Sequence, residues 1–334
     1  MSQSNNFLFS SPLSKLPICL IGNLNIDLII RNVPHLPSWG QEVLGNQHVQ
    51  VSSGQAGYTA FALRGLQVPV SIIGNVGADL YGQQIIDDLQ IKGVDIGGCE
   101  VTPGGQTGIT VAIVREDGER AFVSNIGCLR DFTEANVRRH SAKVEAAGFV
   151  GLLGLFNLPG ITLSIAARIL SEIRTVGKIT MLDTGWDPEN WLPSTVDDFR
   201  FLLKGVTLFM PNWDEARAIS RCDTVQAAGR MLLDQGPEIV VIKCGAEGSY
   251  ACTRKEQASL PALPTTVYDA VGAGDTFNAG FLTALREGWE LKACLALGNA
   301  AAALYISRST NRFPELAEVI SAAQPYGLIP IKML

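Results

Sequence analysis

Six short apolar runs recur along this chain: PICLIG (17–22), VSIIG (70–74), FVGLLG (149–154), ITMLD (179–183), VTLFM (206–210) and EIVVIK (238–243). Each is followed by a segment of helical length. Continuous hydrophobicity suits strands buried on both faces, and strands joined through helices run parallel. The pattern predicts an α/β fold, a doubly wound and mainly parallel sheet flanked by helices, with ligands bound beyond the C-terminal strand ends. With 334 residues, 47% of them hydrophobic and 17% charged, the chain can bury the core such a sheet needs.

Two stretches break this rhythm. Residues 26–52 carry Pro34 and Pro37, and residues 100–125 include TGITVAIVREDGERAFVS, which alternates around a turn at Asp117 and Gly118. Alternation of period two marks strands with one open face. These segments are expected to form a small antiparallel β-lid that closes on substrate. A flexible tail over residues 1–16 and a domain over 17–334 complete the expected organisation.

The most specific chemistry lies in DAVGAGDTF (269–277), where Gly272, Ala273 and Gly274 directly precede Asp275 and an apolar helix beginning near Thr276. Small residues let backbone approach a ligand closely, and the first N–H groups of a helix are unpaired within it and favour an anion such as phosphate. A carboxylate placed there repels phosphate, unless it takes a proton from a hydroxyl about to attack it. That arrangement points to phosphoryl transfer. The plainer alternative is an Asp that only caps the helix. A dinucleotide-binding loop is disfavoured, because Phe277 stands where a third small residue belongs.

Polar residues cluster at other strand ends. Asn25 and Asp27 in GNLNID can hydrogen-bond a polyhydroxyl ligand or form an Asx turn, and SSGQAGYTAFALRGL begins a helix with Ser53, Gly54 and Gly57. In PNWDE, Asn212 and Glu215 are three apart, so both can face one way on a first helical turn. One amide and one carboxylate suit Mg²⁺, which keeps its waters and leans on phosphate, or simply cap the helix. Gly245 and Gly248 in KCGAEGS turn the chain tightly, beside a nucleotide or in a hairpin.

A formal net charge of −6 without any basic run argues against a nucleic-acid surface. The seven cysteines show no paired spacing, which suits small core residues in a reducing cytoplasm. The opening MSQSNNFLFSSPLSK lacks the basic start and apolar core of a signal peptide, no stretch of about 18 apolar residues invites a membrane span, and ACLALGNAAAALYI (293–306) suits a buried helix.

In order, these motifs resemble the ribokinase-like (PfkB-type) carbohydrate kinase family over nearly all of residues 17–313. The family's final motif, Asp, Thr or Ser, any residue, then Gly-Ala-Gly-Asp, departs here only at Ala270. The resemblance implies a ribokinase-like domain and an ATP-dependent kinase acting on a primary hydroxyl of a sugar or nucleoside. It implies that Asp275 is the catalytic base and that the amides of Gly272, Ala273 and Gly274 form the anion hole. Asn212 and Glu215 would organise Mg²⁺ and the phosphates, largely through water. Lys243, Gly245 and Gly248 would line the nucleotide, Asn299 would fall in a helix bordering the adenine, and Asn25, Asp27 and Gly54 would touch the acceptor.

Departures from the family pattern carry their own expectations. Tyr58 stands where relatives carry Asn, so an aromatic ring replaces one sugar contact and suits stacking on a base or a sugar face. Gln55 supplies no cation for a phosphorylated acceptor. Asp269 and Val271 can supply part of the family's monovalent-cation site, yet residues 307–311 read SRSTN, which leaves K⁺ activation unsupported. Ser53 and Tyr58 also motivate an alternative, a catalytically weak nucleotide- or sugar-binding protein of the same fold, against which the intact DAVGAGD argues. The exposed lid edge suggests a homodimer formed through paired lids.

Overall fold

The computed structural model describes residues 16–117, 119–309 and 312–329. The expected tail over residues 1–16, apart from Leu16, and Gly118, Thr310 and Asn311 therefore lie outside the described residues. The strands among the described residues are, in chain order, β1 (Ile18–Gly22), β2 (Asn25–Val33), β3 (Gln47–Ser53), β4 (Val70–Gly77), β5 (Asp95–Thr102), β6 (Gly108–Arg115), β7 (Arg120–Asn125), β8 (Phe149–Leu153), β9 (Ile179–Asp183), β10 (Leu208–Phe209), β11 (Ile239–Lys243), β12 (Ser249–Cys252) and β13 (Gln257–Leu260).

The apolar runs pair into one large sheet of order β13-β12-β11-β10-β9-β8-β1-β4-β5, parallel from β11 to β5 and antiparallel at the β11–β12–β13 edge. Side chains alternate across its pleat. Ile18 and Leu20 of β1 and Ile239 and Val241 of β11 enter one core cluster, whereas Cys19, Ile21, Val240 and Ile242 enter the other. The first cluster is roofed by helices Gln55–Gly65, Leu80–Ile91, Ala273–Arg286, Leu291–Ile306 and Leu316–Ala323. The second is roofed by Leu163–Thr175, Pro193–Leu203, Trp213–Ser220 and Val225–Asp234. Strands without polar alternation have thus become a sheet covered on both faces, as their composition demands.

From β1 the chain builds outward through β4 to β5, and from β8 it builds the other way through β9, β10 and β11. The strand order reverses between β1 and β8, where a crevice opens at the C-terminal ends of the strands.

A second sheet of order β3-β2-β6-β7 forms the small β-lid. Its outer pairs, β2–β3 and β6–β7, are antiparallel, while the central pair β2–β6 runs parallel. The parallel pair arises because the chain crosses the main sheet through β4 and β5 before it returns. Residues 95–102 are the parallel edge of the main sheet beside β4, so the second lid segment begins at Gly108 rather than near residue 100. Within the motif-free stretch after residue 314, Leu316–Ala323 form a helix pinned by an Arg308–Glu318 ion pair of 2.9 Å. Segment 293–306 lies in a buried helix, and among the described residues no helix is long and apolar enough to cross a membrane.

Candidate active site

A cavity of about 200 Å³ opens at the strand-order reversal and brings together Asn25, Asp27, Gly54, Tyr58, Val271, Gly272 and Asp275. Lid residues Thr110 and Ser124 complete its outer wall. The volume lies below the ~300–1,000 Å³ of sites for drug-sized ligands, so the space suits a small polyol.

Asp27, on β2 where the lid leaves the main sheet, accepts hydrogen bonds from Asn25 Nδ2 (2.9 Å) and Ser53 Oγ (2.8 Å) on one oxygen and from Tyr58 Oη (3.0 Å) on the other. Burial raises its carboxyl to about 6, against the pull of these donors. The Tyr58 ring is buried against Tyr305 and Phe313, with ring centroids 6.4 and 6.1 Å away. Its aromatic face is therefore not offered to a ligand, contrary to the stacking role expected of it. The hydroxyl at its tip instead fixes the acceptor-side carboxylate. Gly54 has φ +92°, and a Cβ there would stand 2.2 Å from the Asn23 carbonyl oxygen. Only glycine lets the loop pass this close to the end of β1.

Asp275 lies in the first turn of helix Ala273–Arg286, whose N-cap, Gly272, is left-handed at φ +81° with no side chain capping the helix. Asp275 therefore is not the capping residue. Among the described residues, the N–H groups of Gly272 and Gly274 and the Asp275 carboxylate have no hydrogen-bond partner, while the N–H of Ala273 turns back to the Ala270 carbonyl at 3.3 Å. Two of the three expected anion-hole amides are thus open. Burial and then the neighbouring Asp183 charge push the Asp275 carboxyl well above its ordinary range, with Lys243 opposing them.

Behind Asp275 lies a pair of which the motifs singled out only Lys243. Asp183, at the end of β9, receives Lys243 Nζ in an ion pair of 2.5 Å and also accepts from Asn278 Nδ2 (2.5 Å) and Gln55 Nε2 (3.2 Å). A carboxylate closing an otherwise apolar buried strand was the available signal. Beside it, Asn212 and Glu215 form a capping box on helix Trp213–Ser220: Asn212 Oδ1 accepts from the Glu215 N–H (2.8 Å), and Glu215 Oε2 accepts from the Asn212 N–H (2.9 Å). Glu215 is buried, and burial followed by repulsion from Asp183 raises its carboxyl to about 7. Among the described residues no three His, Cys, Asp or Glu side chains gather as a metal cluster. The single Glu215 oxygen outside the capping box fits a Mg²⁺ held through water rather than one caged by protein.

Gly245 and Gly248 lie in the tight β11–β12 connection at φ +56° and +97°, where hairpin geometry accounts for both. The Asn299 amide donates to the Pro261 carbonyl (3.1 Å) and approaches Tyr326 Oη (3.3 Å), which anchors the segment after β13. Asp269 does not present a vacant carboxylate to a monovalent cation. Its Oδ2 pairs with the guanidinium of Arg31 from β2, and its Oδ1 accepts from the Val271 N–H at 3.0 Å.

The sequence model of the pfkB family carbohydrate kinases matches residues 15–317. Ribokinase of Bacillus subtilis is 28% identical over 292 residues, covering 86% of this chain and 92% of that one. ATP-dependent ribose-1-phosphate kinase of Halopiger xanaduensis is 28% identical over 301 residues, covering 90% and 95%. The solved structure of Arabidopsis thaliana ribokinase complexed with ribose and ATP shares the fold at a TM-score of 0.79 and 23% identity, over 92% of this chain and 99% of that one. With its doubly wound sheet, small β-lid and Gly-Ala-Gly-Asp helix start in one molecule, this chain belongs to the pfkB family of carbohydrate kinases.

Proposed function

We propose that this chain transfers the γ-phosphoryl group of ATP to a primary hydroxyl of a sugar or nucleoside, with residues 17–334 as the kinase unit. One observation carries the reading: Asp275 stands unpaired and buried beside open helix N–H groups, in the same cavity as Asp27, Asn25 and Gly54. Phosphoryl transfer asks a protein mainly for positioning and charge stabilisation. Asp27 and Asn25 hold the acceptor, Asp275 takes the proton from its reacting hydroxyl, and the N–H groups of Gly272 and Gly274 face the charge that develops on the phosphoryl oxygens. Lys243 supplies a positive charge to the same region, and lid strands β6 and β7 keep competing water out. Asn212 and Glu215 would hold Mg²⁺, which would supply charge neutralisation for the nucleotide phosphates. Lid-to-lid pairing of two copies belongs to the same reading and is supported by the outer strand β7, where Phe122 and Val123 are more than half exposed.

The test is ADP release from ATP and Mg²⁺ across a panel of pentoses, hexoses and nucleosides. Turnover on at least one is expected. Thermal shifts with ligands but no turnover on any acceptor would instead identify a nucleotide- or sugar-binding protein that has kept the fold.

A further inference from the structure

We propose that the guanidinium of Arg31 is a built-in monovalent cation at Asp269, tying the lid to the loop that leads into the anion-binding helix end and making turnover independent of added K⁺.

The acidic balance of the site calls for such a charge. Asp27 senses Asp269, and Asp275 senses Asp183, Asp27 and Glu215, so five carboxylates share one region before any phosphate arrives. Lys243 and Arg31 are cations placed directly on two of them. The Arg31–Asp269 pair is buried, with side chains 7% and 3% exposed. The guanidinium also donates to the Tyr268 carbonyl at 3.4 Å and lies 5.1 Å from the centre of the Tyr268 ring. With the Val271 N–H on its other oxygen, Asp269 is coordinated by protein on both sides. A planar guanidinium holds such a geometry more rigidly than a hydrated metal ion would.

The placement also couples two parts of the site. Asp27 and Arg31 lie four residues apart on β2 and so point to the same face of the strand. One strand therefore carries the acceptor-side carboxylate and grips the 269–272 loop that sets Gly272 and Asp275. Arg31 is in this account a positioning residue: its loss displaces the anion-binding end relative to the acceptor.

The inference rests on the phosphoryl-transfer reading, and its test keeps the two apart. Initial rates and thermal unfolding midpoints are measured in KCl and in tetramethylammonium chloride at equal ionic strength, for the unaltered chain and for Arg31→Ala and Arg31→Lys. The unaltered chain is expected to show the same kcat and the same midpoint in both salts. Arg31→Ala is expected to lose kcat on the order of 10²-fold in tetramethylammonium, as for a displaced reacting group, with acceptor KM little changed. K⁺ should restore part of that loss and raise the midpoint of Arg31→Ala alone, and Arg31→Lys should keep most of the activity. Rates or midpoints of the unaltered chain that climb with K⁺ would overturn the inference, as would full kcat of Arg31→Ala in tetramethylammonium. Should no acceptor be turned over, the kinase reading fails while the two midpoints still decide the role of Arg31. Should Arg31→Ala fail to fold, the salt comparison on the unaltered chain decides it.

Discussion

Lys243, half-buried at the end of β11, reaches past β10 to form an ion pair with the buried Asp183 at the end of β9, 60 residues earlier in the chain. The pair sits between the capping box of Asn212 and Glu215 and the buried Asp275, and it holds down the repulsion among three acidic side chains. Burial alone would lower the Lys243 pKa, but attraction to Asp183, Glu215 and Asp275 raises it, so the ammonium stays charged.

Removing one partner leaves a buried charge without its counterion. Lys243→Met should destabilise the fold by about 3–5 kcal/mol and raise the carboxyl groups of Glu215 and Asp275 further. Pairing it with Asp183→Asn should recover part of that loss. Chemical denaturation of both single variants and the double variant measures the coupling. Strictly additive losses would show that the pair is not a unit.

Acceptor binding should depend on pH through Asp27. Its folded carboxyl is raised to about 6, chiefly by burial, so the charged acceptor of hydrogen bonds predominates only above that pH. The kcat/KM for the acceptor should therefore fall as pH drops from about 8 to about 5. Tyr58→Phe removes a donor that favours the charged form and should move this acid limb upward. A profile that stays flat, or a limb that moves downward in Tyr58→Phe, contradicts the assignment.

Stability should run the opposite way. Asp27 and Glu215 titrate near 6 and 7 in the folded state, above their ordinary values of 3.8 and 4.5. Between the unfolded and folded values the native state binds more protons, so stability is greatest at the acid side and is lost as pH rises through 6 and 7. Each unit of such a shift corresponds to about 1.4 kcal/mol. The unfolding midpoint should rise on acidification from about pH 8 to about pH 5, and Glu215→Gln should flatten the slope. A midpoint that falls over this range contradicts it.

Much of this was legible in the sequence, for local reasons. Apolar runs of strand length reported the parallel sheet, and period-two alternation reported the lid hairpins. The edges did not show: β5, with the sequence DIGGCEVT, and β12 and β13, with SYAC and QASL, are too short or too polar to carry the signal. The run VTLFM pairs over only Leu208 and Phe209 before Pro211 turns the chain. Asp27, Gly54 and Asp275 meet in one cavity as their motifs implied. Asp183 and Arg31 escaped notice because their partners lie 60 and 238 residues away, a distance at which no local period operates. The burial of the Tyr58 ring depends on Tyr305 and Phe313, which the sequence alone does not bring near it.

Two glycines with positive φ should respond differently to substitution. In Gly54→Ala the new methyl meets the Asn23 carbonyl oxygen at 2.2 Å, whereas at Gly245 a Cβ meets nothing within 4 Å. Gly245→Ala should cost only the left-handed backbone penalty of about 1–2 kcal/mol. Gly54→Ala should cost more and raise the acceptor KM, because the loop must move away from β1. Thermal unfolding together with acceptor kinetics distinguishes them, and equal effects would contradict the contact.

The central claim is that Asp275 takes the proton of the acceptor hydroxyl at the anion-binding helix end. Its most direct test is steady-state turnover and nucleotide affinity of Asp275→Asn, which keeps the size of the side chain and removes its basicity. The predicted result is a kcat lower by about 10²–10⁴-fold with ATP binding nearly unchanged. Near-normal turnover in Asp275→Asn would contradict it.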